Sequence, residues 1–333
     1  MTLIDEERNA ALAVSGDDAA RAAFLEHVRK GLSKPQKTLS PKYLYDAKGS
    51  ELFERITDLD EYYPTRTEIG ILEAHVADMA AMIGPKAELI ELGSGASVKT
   101  RILLDALPSL DRYVPVDISG DHMEAAAEAL RADYPALTVA PVEADFSKSF
   151  MIERPKGTGK RVLFFPGSTI GNFEAGGAHE FLTRMGRDLA PDLVIIGADL
   201  KKDRATLIAA YDDEAGVTAA FNMNLLTRVN RELGAGFDLS AFRHEARWNE
   251  AFDRIEMHLV SLQDQTVTIG DGLDGASPFT IRFAQGETIH TENSHKYTFD
   301  CMNDLARDSG WRPETVWTDE NGLFSVHVWA LAA

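Results

Sequence analysis

The sequence holds a single cysteine, Cys301, among 333 residues. An internal disulfide framework is excluded, as is a zinc site built on several thiolates. Positive charge is scarce: 34 Lys and Arg stand against 53 Asp and Glu, a formal net charge of −19. A field of that sign repels phosphate backbones and anionic lipid surfaces, so neither nucleic acid nor a membrane is an expected partner. No apolar run approaches the roughly 20 residues needed to span a bilayer. The start, Met1 to Glu7, lacks the basic and apolar pattern of a secretory leader, and with the lone cysteine it points to a reducing, cytoplasmic setting. Repeats and low-complexity tracts are missing as well. What is there is ordinary globular composition, 44% hydrophobic and 26% charged, too apolar for a disordered chain. At this length one core is rarely sufficient, and a large domain with a smaller one attached is expected.

Residues 18–31 read as an amphipathic helix, with Ala22, Leu25, Val28 and Leu32 at three- and four-residue spacing and Gly31 at its end. Residues 35–66 carry Pro35, Pro41, Gly49 and Pro64 among many aromatics, which predicts short elements and tight turns. From 67 to 200 apolar strands alternate with helical stretches. The strands are expected at Glu88–Leu92, Tyr113–Ile118, Leu137–Val142, Arg161–Phe165 and Leu193–Gly197, and the helices near 67–82, 98–106, 120–132 and 176–188. That alternation is the signature of an α/β fold with a parallel, doubly wound sheet, whose ligands gather at the carboxyl ends of the strands. Residues 201–296 break it, with a helical part through Leu226 and strands near 253–262, 265–269 and 279–283. A helix over Tyr297–Asp308 and a strand over Phe324–Leu331 resume it, so 201–296 reads as an insertion.

The strongest local signal is Glu88–Leu92 running into Gly93, Ser94 and Gly95 before a helix, a turn whose glycines let backbone approach a ligand. A nicotinamide dinucleotide would want a third glycine where Val98 stands, and Glu91 would set a carboxylate near its phosphates. A cationic sulfonium nucleoside suits the turn better, which favours S-adenosylmethionine; a purely structural turn is the plain alternative. The next two strands each end in an acid. Asp117, 22 residues beyond Gly95, is placed to accept both hydroxyls of a ribose. Asp145 suits an adenine amine, with Phe146 packed on the ring. Taken singly, each acid is as readily a helix N-cap.

The fourth strand leads into the polar, glycine-rich loop Gly167–Asn172, where Asn172 can donate and accept at once and so orient an amino acid by its amine and carboxylate. It is not the Asp/Asn-Pro-Pro-aromatic loop of nucleic-acid amino methyltransferases. Further on, Thr291, Glu292, Asn293 and Ser294 would, if extended, put Glu292 and Ser294 on one face, a carboxylate and a hydroxyl able to grip the two nitrogens of an imidazole. As four polar residues they read more simply as a solvated loop. His290, Glu292 and His295 lie close in sequence but match no familiar metal spacing, and no metal is expected. No nucleophile elbow stands in a convincing context, so hydrolase chemistry has no support.

Along almost its whole length the chain resembles the S-adenosylmethionine-dependent L-histidine Nα-methyltransferases of ergothioneine biosynthesis. The resemblance rests on KYLYDAKGS (Lys42 to Ser50), EYYPTRTE (Glu61 to Glu68), ELGSGASVKT (Glu91 to Thr100), GSTIGN (Gly167 to Asn172), YDDEAGVTAAFN (Tyr211 to Asn222), RIEM (Arg254 to Met257) and TENS (Thr291 to Ser294). It implies a Rossmann-like class I methyltransferase sheet, over 67–200 and 297–333, binding S-adenosylmethionine. A smaller α+β domain, from residues 13–66 and the insertion 201–296, would bind the acceptor. By the same resemblance Gly93, Lys99, Asp117, Asp145 and Phe146 hold the donor, with Tyr45 in the donor-side aromatic segment. Tyr62, Asn172 and Tyr211 hold the amine and carboxylate of histidine, and Tyr62 and Asn172 are the catalytic orienting pair. Glu292 and Ser294 hold the imidazole, and Phe221 and Met257 wall the pocket, although Ile255, Met257 and Leu259 would also make an ordinary buried strand face. Asn293, between Glu292 and Ser294, is expected to vary without consequence only if it points away. The implied activity is trimethylation of L-histidine, through its mono- and dimethylated forms, to hercynine by a monomer. The same chemistry on another aromatic amino acid, or a binding protein that uses the nucleoside as an effector, stays open on sequence.

Overall fold

The computed structural model describes residues 19–332 apart from 95–97, 119, 175, 271 and 273–276. The chain divides into two compact units. One, the sheet unit, comprises Asp60–Thr206, Asn249–Arg254 and Asn293–Ala333; the other comprises the residues up to Leu59, Leu207–Trp248 and Ile255–Glu292. The division falls before α3 (Tyr63–Ile83), not at residue 67 as expected, because that helix begins at Tyr63 with Pro64 in its first turn and belongs whole to the sheet unit.

The sheet unit is built on β2 (Glu88–Leu92), β3 (Arg112–Asp117), β4 (Thr138–Val139), β5 (Val142–Glu143), β6 (Arg161–Phe165), β7 (Leu193–Asp199), β13 (Trp311–Thr318) and β14 (Phe324–Leu331). Their order is β13-β14-β7-β6-β2-β3-β4, with β5 also on β3. From β4 to β7 neighbours run parallel; β14 is antiparallel to both β7 and β13. The expected Rossmann-like class I sheet is thus present. The single strand expected over Leu137–Val142 is two short pieces, because Pro141 cannot donate to the ladder.

Alternation along the strands sorts two cores. Leu89, Tyr113, Val162, Phe164 and Ile195 face one way, against α3, α4 (Val98–Ala106) and α5 (Gly120–Asp133). Ile90, Val114, Leu163, Phe165 and Ile196 face the other, against α6 (Gly177–Leu189) and α9 (Phe299–Asp308). Covering both faces is what makes parallel strands such as β2 and β6 apolar throughout.

The second unit holds α1 (helical over 19–32), α2 (Ala47–Thr57), the second half of α7 (Arg204–Ala209), α8 (Val217–Leu233) and most of a four-stranded sheet. That sheet, ordered β1-β12-β9-β8, consists of β1 (Lys37–Thr38), β12 (Thr288–His295), β9 (Arg254–Ser261) and β8 (Phe242–Asn249). A ribbon of β10 (Gln265–Ile269) and β11 (Phe279–Phe283) completes it. β8 and β13 went unanticipated, and α8 outruns its expected end at Leu226 to reach Leu233. No helix among the described residues is long and apolar enough to cross a membrane.

Candidate active site

The carboxyl ends of β2 and β3 supply the first group of side chains. Past Leu92 the backbone turns at Gly93, whose φ of 74° lies in the left-handed region. A Cβ there would stand 3.8 Å from Phe146, so the bare edge of Gly93 and the Phe146 ring border one space. Phe146 is held edge-on by Phe165 and Phe181, with ring centroids 6.0 and 6.2 Å away. Gly95 lies outside the described residues. Asp117 closes β3, half-buried. Asp145 is not a helix cap: its Oδ1 accepts from the Ser147 N–H at 3.0 Å, and its carbonyl from the Lys148 N–H at 2.8 Å, which makes a tight turn with Phe146 inside it.

Lys99, in the first turn of α4, has its ammonium 2.5 Å from Glu68 Oε2. Glu68 is 1% exposed, and its two oxygens also accept the Gly167 N–H at 3.0 and 2.8 Å. One buried carboxylate therefore ties the helix after β2 to the loop after β6. It fits because β7 carries Gly197, where a Cβ would stand 2.1 Å from Glu68 Oε1. Sequence reading passed over Glu68, although it closes the EYYPTRTE string.

Glu91 is buried and accepts from the hydroxyls of Thr100, at 2.6 Å, and Tyr113. Burial pushes its carboxyl up to about 7 from 4.5, against the pull of those hydroxyls and of Lys99. A carboxyl that binds its proton more tightly folded than unfolded lends stability below pH 4.5 that drains away up to pH 7. Glu91→Gln is accordingly expected to stabilise the fold by about 2 kcal/mol at pH 8 and hardly at all at pH 4, as read by urea denaturation at the two values. An equal effect at both would show that Glu91 does not titrate in this range.

The loop after β6 is firmly set. Ser168 sits at φ 56°, and its Oγ accepts the Asp199 N–H at 2.9 Å. A single 3-10 turn, Thr169–Asn172, follows, and the Tyr297 hydroxyl donates to the Ile170 carbonyl at 3.1 Å. Asn172 ends that turn, half-buried. Tyr62 is buried immediately ahead of α3, and its neighbour Tyr63 donates through its hydroxyl to the Asp199 carboxylate at 2.8 and 2.9 Å. The Lys202 and Lys296 ammoniums lie 2.5 and 2.7 Å from the same carboxylate, and Lys296 also donates to Ser294 Oγ at 2.6 Å. Burial pushes the Lys202 amine down, against Asp199. No sequence signal marked Asp199, Lys202 or Lys296.

In the second unit Phe221 is buried against Tyr45 and Phe53, with ring centroids 5.5 and 6.0 Å away. Tyr45 also packs edge-on against Phe53, with ring centroids 5.6 Å apart. Tyr211 follows α7, and its carbonyl faces His244 Nε2 at 2.8 Å. Met257 is buried, but so are Ile255, His258 and Leu259, so its burial by itself is ordinary strand packing. The carbonyl of Met257 accepts the Thr291 hydroxyl at 3.0 Å, which seats TENS on β9.

That segment is no solvated loop. It lies within β12, with Thr291, Asn293 and Ser294 buried and Glu292 half-buried. The Asn293 amide donates to Glu174 at 3.0 Å. His290 Nε2 faces the Glu292 carbonyl at 3.0 Å, while His295 Nδ1 faces that of Phe252 at 3.0 Å. Among the described residues no three His, Cys, Asp or Glu side chains are grouped to hold a metal. The sheet unit carries Tyr62, Gly93, Lys99, Asp117, Asp145, Phe146, Asn172 and Ser294, and the other carries Tyr45, Tyr211, Phe221, Met257 and Glu292.

Known proteins are similar to this sequence. A histidine N-alpha-methyltransferase of Mycobacterium tuberculosis is 44% identical over 315 residues, which is 93% of this chain and 96% of that protein. One of Mycolicibacterium smegmatis is 42% identical over 313 residues, 93% of this chain and 95% of that one. Ergothioneine biosynthesis protein 1 of Neurospora crassa is 35% identical over 201 residues, 57% of this chain but 22% of that longer protein. The family model described as "Histidine-specific methyltransferase, SAM-dependent" matches residues 24–331. With nearly every described residue inside that match, the chain belongs to the S-adenosylmethionine-dependent, histidine-specific methyltransferases.

Proposed function

We propose that this enzyme methylates the α-amino nitrogen of L-histidine three times, giving the betaine hercynine, the first step toward ergothioneine. The observation that carries the reading is the agreement across 93% of the chain with two proteins named for histidine Nα-methylation. The sheet unit fits the donor: a glycine edge beside an aromatic ring, a carboxylate at Asp117 where β3 ends, and an ammonium at Lys99 in the first turn of α4. Gly93, Lys99, Asp117, Asp145, Phe146 and Tyr45 hold it. Bound S-adenosylmethionine supplies a methyl carbon whose bond to cationic sulfur breaks as its bond to nitrogen forms, one proton leaving to water per transfer.

The residues around the acceptor orient it. Tyr62, Asn172 and Tyr211 hold the amine and carboxylate, Glu292 and Ser294 hold the ring, and Phe221 and Met257 wall the pocket. A neutral amine is needed, and reaching it near pH 7 costs about 1.4 kcal/mol, which alignment readily offsets. After each methylation the nitrogen has one hydrogen fewer to donate. The Tyr62 hydroxyl, which donates or accepts, accommodates that change. Tyr62→Phe is expected to lower kcat about tenfold with an unchanged melting temperature; an unaltered rate would remove Tyr62 from the mechanism. The reading also includes a cytoplasmic monomer, which light scattering at 36.6 kDa tests in part.

The deciding experiment supplies S-adenosylmethionine with a mixture of amino acids and follows products by mass spectrometry. Histidine gaining one, two and three methyl groups is expected. Faster consumption of tryptophan or tyrosine would overturn the acceptor while keeping the reaction, and donor binding with no methylated product would overturn both.

A further inference from the structure

One stripe of α8 carries Phe221, Asn224, Arg228 and Arg231, spaced three, four and three residues apart and so on a single face of the helix. Each of them meets the segment that leads into α2. Arg228 donates to the Tyr43 carbonyl at 3.1 Å, Asn224 to Asp46 Oδ1 at 2.7 Å and Arg231 to Asp46 Oδ2 at 2.7 Å. The Phe221 ring packs edge-on against that of Tyr45. Asp46 is also the N-cap of α2, its Oδ1 accepting the Gly49 N–H at 2.8 Å. Glu232 Oε1 accepts from Arg228 Nε at 2.9 Å and from the Arg231 guanidinium at 2.7 Å, which steadies both. All of these residues belong to one compact unit.

We propose that Asp46 is a positioning residue: by clamping the start of α2 to α8 it sets the Tyr45 ring against Phe221, and through those rings it sets the affinity for donor and acceptor together. The proposal rests on the reading of Tyr45 as a donor contact and of Phe221 as an acceptor wall. Tyr45 stands between the 3-10 turn Pro41–Leu44 and α2 and belongs to neither, so its placement depends on what anchors its neighbours. An edge-on ring pair is a shallow restraint by itself. Hydrogen bonds to a carboxylate are stronger and more directional, and Asp46 takes three of them directly beside Tyr45. A Tyr45 released from this clamp also deprives Phe221 of a neighbour, which is why both ligands should register the loss.

Asp46→Ala is expected to raise KM for S-adenosylmethionine and for histidine about tenfold each, with kcat within about threefold. In a Tyr45→Ala background the same change should add nothing to the donor KM, because no ring remains to be placed. Asp46→Asn keeps Oδ1 for Gly49 and Asn224 and loses only the Arg231 contact. It should therefore match Arg231→Met, both raising the two KM values about two- to threefold. That pair carries the test if the alanine variant does not fold. A lowered melting temperature with both KM values unchanged, a rise in one KM alone, or losses at Asp46 and Tyr45 that add in full each overturn the proposal. Tyr45→Ala and Phe221→Ala with wild-type KM values overturn instead the reading on which it rests.

Discussion

Glu68→Ala is expected to cost about 3–5 kcal/mol of stability and to weaken S-adenosylmethionine binding at least about tenfold. Glu68 is buried between the Lys99 ammonium and the Gly167 N–H, so a partner that loses it is left without its acceptor inside the protein. Removing the carboxylate leaves a half-buried cation and a backbone donor without their acceptor, which is far worse than never having built the pair. It also unties the start of α4 from the loop that carries Asn172. Gly197→Ala should reproduce part of the loss, since its methyl would displace the same carboxylate. Urea denaturation and donor titration calorimetry measure the two effects. Unchanged midpoint and unchanged affinity would take Glu68 out of the site.

Gly171→Ala should lower kcat/KM by about a hundredfold and stability by about 1–3 kcal/mol. A Cβ there would stand 2.9 Å from the His295 carbonyl oxygen and 3.1 Å from its nitrogen, both main-chain atoms that cannot rotate aside. Relief must come from shifting the loop or the end of β12. Asn172 follows directly in the loop and Ser294 directly precedes His295, so either shift moves a proposed acceptor contact. Gly70→Ala is the control: it is helical, with nothing within 4 Å of the added methyl, and should be neutral or stabilising by about 1 kcal/mol. Similar losses at both positions would mean that the close approach at Gly171 is not what matters.

The parallel part of the sheet was legible because burial on both faces leaves a continuous apolar signature. Glu88–Leu92 and Arg161–Phe165 fall where the sequence puts them. β12 was illegible for the opposite reason: Thr291, Asn293 and Ser294 are polar and buried, their cost offset by partners such as Met257, Glu174 and Lys296, which no local pattern reveals. β8 reads PheArgHisGluAlaArgTrpAsn, a polar alternation that resembles a helix face or loop as much as an edge strand. The strings that carry the resemblance contain Tyr62, Asn172, Glu292 and Ser294, but they also contain Glu68 without marking it. Asp199 and Lys296 lie outside them altogether, nearly 100 residues apart. A side-chain cluster assembled from distant strands has no sequence period to find.

The chain passes between its two compact units five times, the last time within β12 between Glu292 and Asn293. This interlacing constrains how such an enzyme evolves. A pocket carried on one contiguous stretch of gene can be swapped whole by recombination, whereas here any single crossover would join unmatched parts of both cores. Proposed acceptor residues such as Met257 and Glu292 can therefore be retuned only codon by codon, in place. Truncation offers no shortcut either, since no cut at one point frees an intact unit.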